Sequence, residues 1–365
     1  MAAADGSVDG GGMPVMAITD VAQGIRWQAD HAERAGAPCT ARVVRGTLAL
    51  LSGATETGRR MAAWQGRVVE DALPLRVAGG LHSLFLMGEG DELAPVYSGQ
   101  VTEQASVDAI VARVAERHDD KLLPWLDSPP QTNEAGRSAS IMGGLLWLSA
   151  RLGPRFELNE IGASAGINTM MARYFYDLGG VQAGPEGSMM RIVPQWRGPP
   201  PPQAQVAIVS AKGCDVAPLD LADPEQVLRL KAYIWADARE RMVRMDAAAR
   251  LAAEARPDLV RMDAEEFVAR QLAAPQQEGV TRVLFNTVMW QYLPDATRQA
   301  ISGMMDEAGG RASPEAPLAW LALETNRATF RHELRARYWP GGEDPALLAE
   351  AHPHGAWVTW LDGGD

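Results

Sequence analysis

The sequence has 365 residues, which is long for one compact core and suits two domains. Hydrophobic residues make up 47% and charged residues 22%, as is typical of globular proteins. The formal net charge of -12 gives the chain no bulk attraction for a nucleic-acid backbone or an anionic membrane. We therefore expect a small-molecule substrate, with no nucleic-acid or membrane partner. No feature indicates an oligomeric state.

The cysteines and the apolar runs predict a cytoplasmic protein with reduced thiols. Cys39 and Cys214 form neither a CxxC pair nor a cluster with histidine, so we expect no metal site and no disulfide framework. The first residues lack the pattern of a secretory signal, and no apolar run reaches the roughly 18 residues of a membrane span. Residues 1–17, rich in Gly, Ala and Asp, predict a disordered tail.

The first half of the chain has helical periodicity. Apolar residues recur at helical spacing from Val21 onwards, and again over residues 41–51, 62–69 and 75–86. This pattern predicts an α-helical domain over residues 18–152.

After Arg155 short apolar runs alternate with helical segments. The runs cover residues 156–161, 257–262, 281–285, 318–323 and 357–361. Such alternation predicts an α/β domain over residues 153–365, built on a parallel sheet with helices on both faces. The four prolines at 199–202 cannot join a sheet interior, so we expect an insertion at about 179–235, with a short strand at 206–209.

A compact motif follows the first predicted strand and reads Glu160-Ile-Gly162-Ala-Ser164-Ala-Gly166. Ligands bind outside the carboxyl ends of strands in an open parallel sheet, and glycines let a ligand approach the backbone closely. The spacing departs from the dinucleotide fingerprint GxGxxG. It resembles motif I of class I S-adenosylmethionine-dependent methyltransferases, an acidic residue followed by G-x-G-x-G, with Ser164 in place of the middle glycine.

Two later segments resemble the same superfamily, in the same order along the chain. Asp263-Ala264 resembles the stretch whose acid contacts the adenine amino group, and residues 284–310 resemble the strand, turn and helix that follow. The resemblance covers roughly residues 155–365 and implies a Rossmann-like methyltransferase sheet with S-adenosylmethionine as cofactor. It implies cofactor contacts from Glu160, Gly162, Ser164, Gly166, Asp263, Ala264 and Asn286, and a pocket that includes Trp290, Gln291 and Tyr292.

The superfamily's ribose-binding acid ends the second strand, and two aspartates compete for that position. Asp237, in YIWADARERM, fits the spacing before the adenine-binding acid. Asp215, in GCDVAPLD, has the local sequence of a G-x-D turn. Aspartate is also common at helix N-caps and in turns. We prefer Asp237 and keep Asp215 as the alternative.

A second resemblance spans nearly the whole chain. The segments PPQTNEAGRSA, LNEIGASAGIN, NTVMWQYLP and HPHGAWVTWLD together resemble an uncharacterised bacterial family, domain of unknown function 2332. That resemblance implies a helical N-terminal part fused to a methyltransferase-like part, and it implies no substrate.

The helix start at residues 131–138 contributes three further candidates, Asn133, Glu134 and Arg137. Only Gly153 and Pro154 separate this helix from the first strand, so the two should run antiparallel. The helix N-terminus would then lie near the strand's carboxyl end, and we predict that all three side chains face the same pocket as Gly162. Arg137 would suit a carboxylate of the cofactor or of an acidic substrate. The alternative is a local Glu134–Arg137 pair on a solvated surface.

We therefore expect methyl transfer from S-adenosylmethionine to a small-molecule acceptor, achieved by alignment and exclusion of water. No side chain stands out as a general base. One alternative is an α/β-hydrolase, because G-x-S-x-G around Ser164 fits the nucleophile elbow. Its triad would draw on Asp295 or Glu324 and on His352 or His354. A second alternative is a non-catalytic binding protein that keeps the methyltransferase-like fold.

Overall fold

The computed structural model describes residues 18–361, so the tail predicted at 1–17 lies outside the described residues. Its α-helices are, in chain order, α1 (Val21–Arg34), α2 (Pro38–Gly46), α3 (Glu56–Ala62), α4 (Leu73–Leu86), α5 (Ala94–Tyr97), α6 (Gln104–Arg117), α7 (Asp119–Leu122), α8 (Ser138–Leu152), α9 (Pro224–Ala232), α10 (Arg239–Glu254), α11 (Ala264–Ala273) and α12 (Asp295–Gly309). Short 3-10 segments cover Thr47–Ser52, Asp91–Leu93, Leu123–Asp127, Ala135–Arg137, Asn168–Arg173 and Trp290–Tyr292.

The strands form two sheets. They are β1 (Arg155–Ile161), β2 (Phe175–Leu178), β3 (Val181–Ala183), β4 (Arg191–Ile192), β5 (Gln195–Arg197), β6 (Ala207–Asp215), β7 (Asp258–Arg261), β8 (Thr281–Thr287), β9 (Leu318–Thr325), β10 (His332–Trp339), β11 (Gly342–Ala351) and β12 (Trp357–Trp360). The large sheet has the order β5-β12-β11-β10-β9-β8-β1-β6-β7, and the small one β3-β2-β4. Within residues 18–361, five of the eight neighbouring pairs in the large sheet are parallel and three are antiparallel.

The described chain divides into two compact units. The helical unit comprises residues 18–132 and Asp223–Val243, and the sheet unit comprises Asn133–Ala222 and residues 244–361. The boundary differs from the one predicted at residue 152, because α8 packs on β9, β10 and β11 of the sheet. Residues 179–235 are also not one insertion. Their first part supplies β5 and β6 to the large sheet, and the part from Asp223 belongs to the helical unit.

Several helices of the helical unit begin at a side chain that caps their first turn. Asp20 accepts a hydrogen bond from Gln23 N at the start of α1, and Thr55 accepts one from Gly58 N in α3. A side chain in such a position satisfies an N–H group that the helix itself leaves without a partner. The helix predicted over residues 62–69 does not form, since α3 ends at Ala62.

The sheet unit buries its central strands on both faces. All seven residues of β8 are buried, which explains why this strand reads as an apolar run without alternation. In β9 successive side chains point to opposite faces. Leu318 and Trp320 pack in the cluster that contains residues of α11 and α12, whereas Leu321 lies against Gly144 of α8. Helices therefore cover both faces, as predicted.

Two strands of the large sheet carry no clear sequence signal. β10 and β11 form an antiparallel hairpin beside β9, and the sequence of β11, GEDPALLAEA, contains a proline and three acidic residues rather than an uninterrupted apolar run. By contrast, β6 is longer than the strand predicted at 206–209 and pairs in parallel with β1. No helix among residues 18–361 is both long enough and apolar enough to cross a membrane.

The turn after β11 rests directly on the segment before α8. Gly355 has φ +73°, and a Cβ added there would lie 2.2 Å from the carbonyl oxygen of Gly136. Substitution therefore adds a backbone clash to the strain of a left-handed conformation.

We expect Gly355→Ala to lower the free energy of unfolding by about 3 kcal/mol, since strain and overpacking add. Gly279→Ala is the matched control: its φ is +70°, but nothing lies within 4 Å of the added Cβ. This control should cost about 1 kcal/mol. Urea denaturation of the two variants measures both values, and equal losses would contradict the proposed backbone contact.

Candidate functional site

Five parallel strands end at one edge of the large sheet, in the order β7-β6-β1-β8-β9. The register places Ile161 of β1 beside Cys214 of β6, and Asn286 of β8 beside Ala322 of β9. The residues that follow each strand therefore share this edge, which we call the strand-end site. It gathers most of the side chains that the sequence singled out.

The turn after β1 has an unusual backbone. Gly162, Ser164 and Gly166 all have left-handed conformations, with φ of +67°, +53° and +73°. For a serine this costs roughly 1–2 kcal/mol, so the surrounding contacts must hold it. Ala163 N donates to the carbonyl oxygen of Cys214 over 2.9 Å. Ser164 N donates to Asp215 Oδ2 over 2.8 Å.

The two glycines of this turn serve different neighbours. A Cβ at Gly162 would lie 2.8 Å from Met289, which follows β8. A Cβ at Gly166 would instead lie about as close to Pro257 and Leu259, at the start of β7. Gly166 therefore permits packing of the turn on a neighbouring strand, and Gly162 is the glycine that faces the loop after β8.

Three carboxylates lie at the carboxyl ends of three neighbouring strands of the sheet: Glu160 near the end of β1, Asp215 at the end of β6, and Asp263 after β7. Asp215 accepts hydrogen bonds from Ser164 N and Ala217 N, and Asp263 caps α11 by accepting one from Glu266 N. Burial raises the pKa of the Cys214 thiol to about 12. The charges of all three carboxylates also raise the pKa of the Cys214 thiol.

Asp215, rather than the preferred Asp237, ends the strand next to β1. Asp237 lies in the helical unit, where its carboxylate accepts hydrogen bonds from Cys39 N, Thr40 N and Thr40 Oγ1 over 3.0, 2.9 and 2.7 Å. It thereby caps α2, which has no side-chain cap at its own N-cap residue. The preference for Asp237 rested on spacing along the chain. That spacing is uninformative here because the chain leaves the sheet unit between β6 and β7.

Glu160 is the most unusual group of the site. Glu160 is only 1% exposed. Its Oε1 accepts one long hydrogen bond of 3.5 Å from Asn168 Nδ2. Glu160 Oε2, Asn168 Oδ1 and Ser164 Oγ are buried and have no hydrogen-bond partner within the described residues. Buried polar atoms are nearly always satisfied, so three exceptions near one turn call for an explanation. Burial raises the pKa of Glu160 well above its ordinary value, and the Asn168 bond and the Arg137 charge offset this only in part.

The β8 side of the site is organised by Glu324, at the carboxyl end of β9. Its Oε1 accepts hydrogen bonds from Asn286 Nδ2, Met289 N and Trp290 N over 2.7, 3.0 and 3.2 Å. Asn286 Oδ1 accepts a further bond of 2.8 Å from Trp320 Nε1. Asn286 is thus engaged in shaping the loop. The sequence analysis named Glu324 only as a possible hydrolase acid. Its position directly after the apolar run 318–323 is the sequence feature that places it at the end of a strand.

The remaining candidates near β8 and β7 differ in their exposure. The Trp290 ring packs edge-on against Trp320, with 5.2 Å between ring centroids. Gln291 and Tyr292 lie in the same 3-10 turn, and Tyr292 is 77% exposed. Ala264 is the first residue of α11 and is buried in the core cluster of that helix.

The three candidates before α8 are buried at the strand ends. Asn133 Oδ1 accepts a hydrogen bond of 2.9 Å from Ile167 N, in the turn after β1. Glu134 Oε1 pairs with Arg244 Nε at 2.7 Å. Arg137 is 6% exposed and donates from Nε to the carbonyl oxygen of Pro353 and from Nη1 to that of Thr287, the last residue of β8. These contacts do not fit a solvated ion pair.

The hydrolase triad is not assembled within residues 18–361. Ser164 Oγ has no hydrogen-bond partner there, so no histidine lies within reach of it. His352 Nδ1 accepts a bond from the backbone N–H of His354, Glu324 holds the loop after β8, and the exposed Asp295 pairs with Arg298. The same residues contain no group of three or more His, Cys, Asp or Glu arranged to hold a metal ion.

Comparison with known proteins identifies the family. Residues 22–360 match the family described as an uncharacterized protein conserved in bacteria (DUF2332), and the chain belongs to it. No curated protein and no solved structure matches the chain.

The state of Glu160 leads to a stability prediction. A carboxyl whose pKa is higher in the folded than in the unfolded protein binds more protons when folded, so stability falls as pH rises from about 4.5 towards the folded pKa. Glu160→Gln removes this titration and gives Asn168 Oδ1 a donor. We expect it to raise the free energy of unfolding at pH 7 by about 1 kcal/mol, with an advantage that grows over that pH range.

Glu157→Gln is the matched control on the same strand. Glu157 Oε1 pairs with Arg282 Nε at 2.9 Å, and the Arg282 side chain is buried. Loss of this carboxylate leaves a buried cation without its counter-charge, so we expect destabilisation by about 2 kcal/mol. Urea denaturation at several pH values measures both variants. A destabilised Glu160→Gln protein would show that Glu160 is ionised and satisfied.

Proposed function

We propose that the sheet unit is an S-adenosylmethionine-dependent methyltransferase of the Rossmann-like class I type that acts on a small-molecule acceptor. The observation that carries the proposal is the set of carboxylates at the carboxyl ends of β1, β6 and β7 beside a left-handed glycine turn. Numbering β1, β6, β7, β8 and β9 from one to five gives the sheet order 3-2-1-4-5. Doubly wound nucleotide-binding sheets have this order and bind ligands where it reverses, beside the first strand.

The hydrogen-bonding capacity of the carboxylates fits the cofactor. A carboxylate offers about four acceptor positions, and Asp215 uses one on each oxygen for backbone N–H groups. It would retain capacity for the two ribose hydroxyls. Asp263 uses Oδ1 for its helix cap, which leaves Oδ2 for the adenine amino group.

The unsatisfied acceptors under the turn fit the cationic part of the same molecule. Glu160 Oε2 and Asn168 Oδ1 are buried acceptors without donors in the described chain. The methionyl ammonium group carries both the donors and the charge that they lack. A cation beside Glu160 would favour its ionised form and so lower its pKa. The charge of Arg137 already lowers the pKa of both Glu160 and Glu324.

The chain's own contribution to catalysis would be binding, alignment and exclusion of water. When bound, S-adenosylmethionine supplies a methyl group that is already activated by the sulfonium. Asp215 and Asp263 would fix the nucleoside, while Glu324 orders the loop after β8 on the other side of β1. Holding two reactants in line removes much of the entropic barrier to their reaction.

Calorimetry with S-adenosylmethionine and S-adenosylhomocysteine tests the proposal. We expect both ligands to bind, and Asp215→Asn and Asp263→Asn each to weaken binding about fivefold to tenfold, the cost of one or two hydrogen bonds. Asp258→Asn, at the amino end of β7, is the control and should bind as the wild type does. A wild-type protein that binds neither ligand would refute the proposal. Binding without transfer to any acceptor would instead favour the non-catalytic alternative.

One observation favours the hydrolase as a second candidate. Ser164 occupies G-x-S-x-G with φ +53°, and a nucleophile elbow is a strained strand-end turn of this kind. Since no histidine bonds to Ser164 Oγ in the described chain, we expect a fluorophosphonate probe to leave the folded protein unlabelled. Intact-mass spectrometry detects the adduct. Stoichiometric labelling that Ser164→Ala abolishes would establish Ser164 as the nucleophile of a hydrolase.

A further inference from the structure

Glu324 anchors the backbone of the loop after β8, residues 288–292. Glu324 Oε1 accepts the backbone N–H groups of both Met289 and Trp290, over 3.0 and 3.2 Å. Val288, immediately before them, has φ +54°, which is uncommon for a β-branched residue. The loop therefore stores strain at Val288, and Glu324 Oε1 holds the amide of Met289 and that of the residue after it.

This loop places Met289 against Gly162, in the turn after β1. A Cβ built on Gly162 would lie 2.8 Å from both Cγ and Cε of Met289 and 2.9 Å from its Cβ. The space that a side chain would need at Gly162 is thus already filled by methionine. The side chain is unbranched and has three rotatable bonds, so it can turn aside, but it then loses the contacts that it makes in this position.

We propose that Met289 controls access to the Gly162 turn and that Glu324 is the positioning residue that keeps Met289 there. The inference rests on the proposed function in taking the adenosyl cofactor as the ligand that approaches Gly162. Close approach of a ligand to this face of Gly162 and the observed position of Met289 are mutually exclusive. Met289 must therefore turn aside when the ligand binds, and its size limits what the turn accepts.

The ionisation of Glu324 depends on the loop that it holds. Burial raises the pKa of the Glu324 carboxyl, while its bonds from Met289 N, Asn286 and Trp290 N and the charge of Arg137 act in the opposite direction. The carboxylate and the loop thus stabilise each other. Glutamine at position 324 keeps an acceptor oxygen and should hold the loop, whereas leucine has no acceptor and should release it.

The affinity test compares Met289→Ala with Met289→Leu, a swap that conserves most of the volume. We expect Met289→Ala to bind S-adenosylhomocysteine about tenfold more tightly than the wild type, because nothing has to be displaced. Met289→Leu should stay within about twofold of the wild type. Wild-type binding that Met289→Ala leaves unchanged or weakens would overturn the inference and leave the proposed function standing. Absence of binding by the wild type and by Met289→Ala would overturn both.

The anchor is tested without ligand, by hydrogen exchange of the Met289 and Trp290 amides. Glu324→Gln should leave their exchange close to that of the wild type, and Glu324→Leu should accelerate it about tenfold or more. Slow exchange in a folded Glu324→Leu protein would show that Glu324 does not position the loop. Should Glu324→Leu fail to fold, the Glu324→Gln result decides the point: fast exchange in that variant contradicts anchoring by an acceptor oxygen.

Discussion

The parallel pairing of β1 with β6 on one side and β8 on the other is the constraint on which the rest of the site depends. It brings the ends of three strands to one edge, although β1 and β8 are separated by more than a hundred residues of chain. Once the ends coincide, Asp215 can bond to Ser164 N, and Met289 can lie against Gly162. The bond from Ser164 N to Asp215 helps to hold the left-handed conformation of Ser164, which a serine adopts only at a cost.

The same edge collects most of the unfavourable local features of the sheet unit. Ser164 and Val288 have left-handed backbones, Glu160 has an unsatisfied buried oxygen, and Glu324 is a carboxylate in a poorly solvated position. Elsewhere in the unit, buried charge is paired, as Glu157 and Arg282 show. Strain and unmet hydrogen bonds tend to concentrate where a ligand completes them. This contrast within one strand, between Glu157 and Glu160, supports a binding role for the strand-end site.

The sequence allowed prediction of the parts of the fold that rest on local pattern. β1, β7, β8, β9 and β12 were predicted within a few residues because each is a short apolar run. The β10–β11 hairpin was missed because its strands mix charged residues with apolar ones. The choice between Asp215 and Asp237 shows a different limit of the sequence. Spacing along the chain cannot show that the polypeptide leaves one compact unit and returns before the next strand.

The segments around residues 133–137 and 352–355 show how distant motifs act on one site. Gly136 and Gly355 meet backbone to backbone, and Arg137 spans from the carbonyl oxygen of Pro353 to that of Thr287. Through these contacts the segment before α8 is tied to the end of β8, while Asn133 holds the turn after β1 from the other direction. The charge of Arg137 thereby stays buried close enough to act on both Glu160 and Glu324. A lysine would carry the charge but lacks the planar fork that holds two carbonyls, so at this position the geometry, rather than the charge alone, requires arginine.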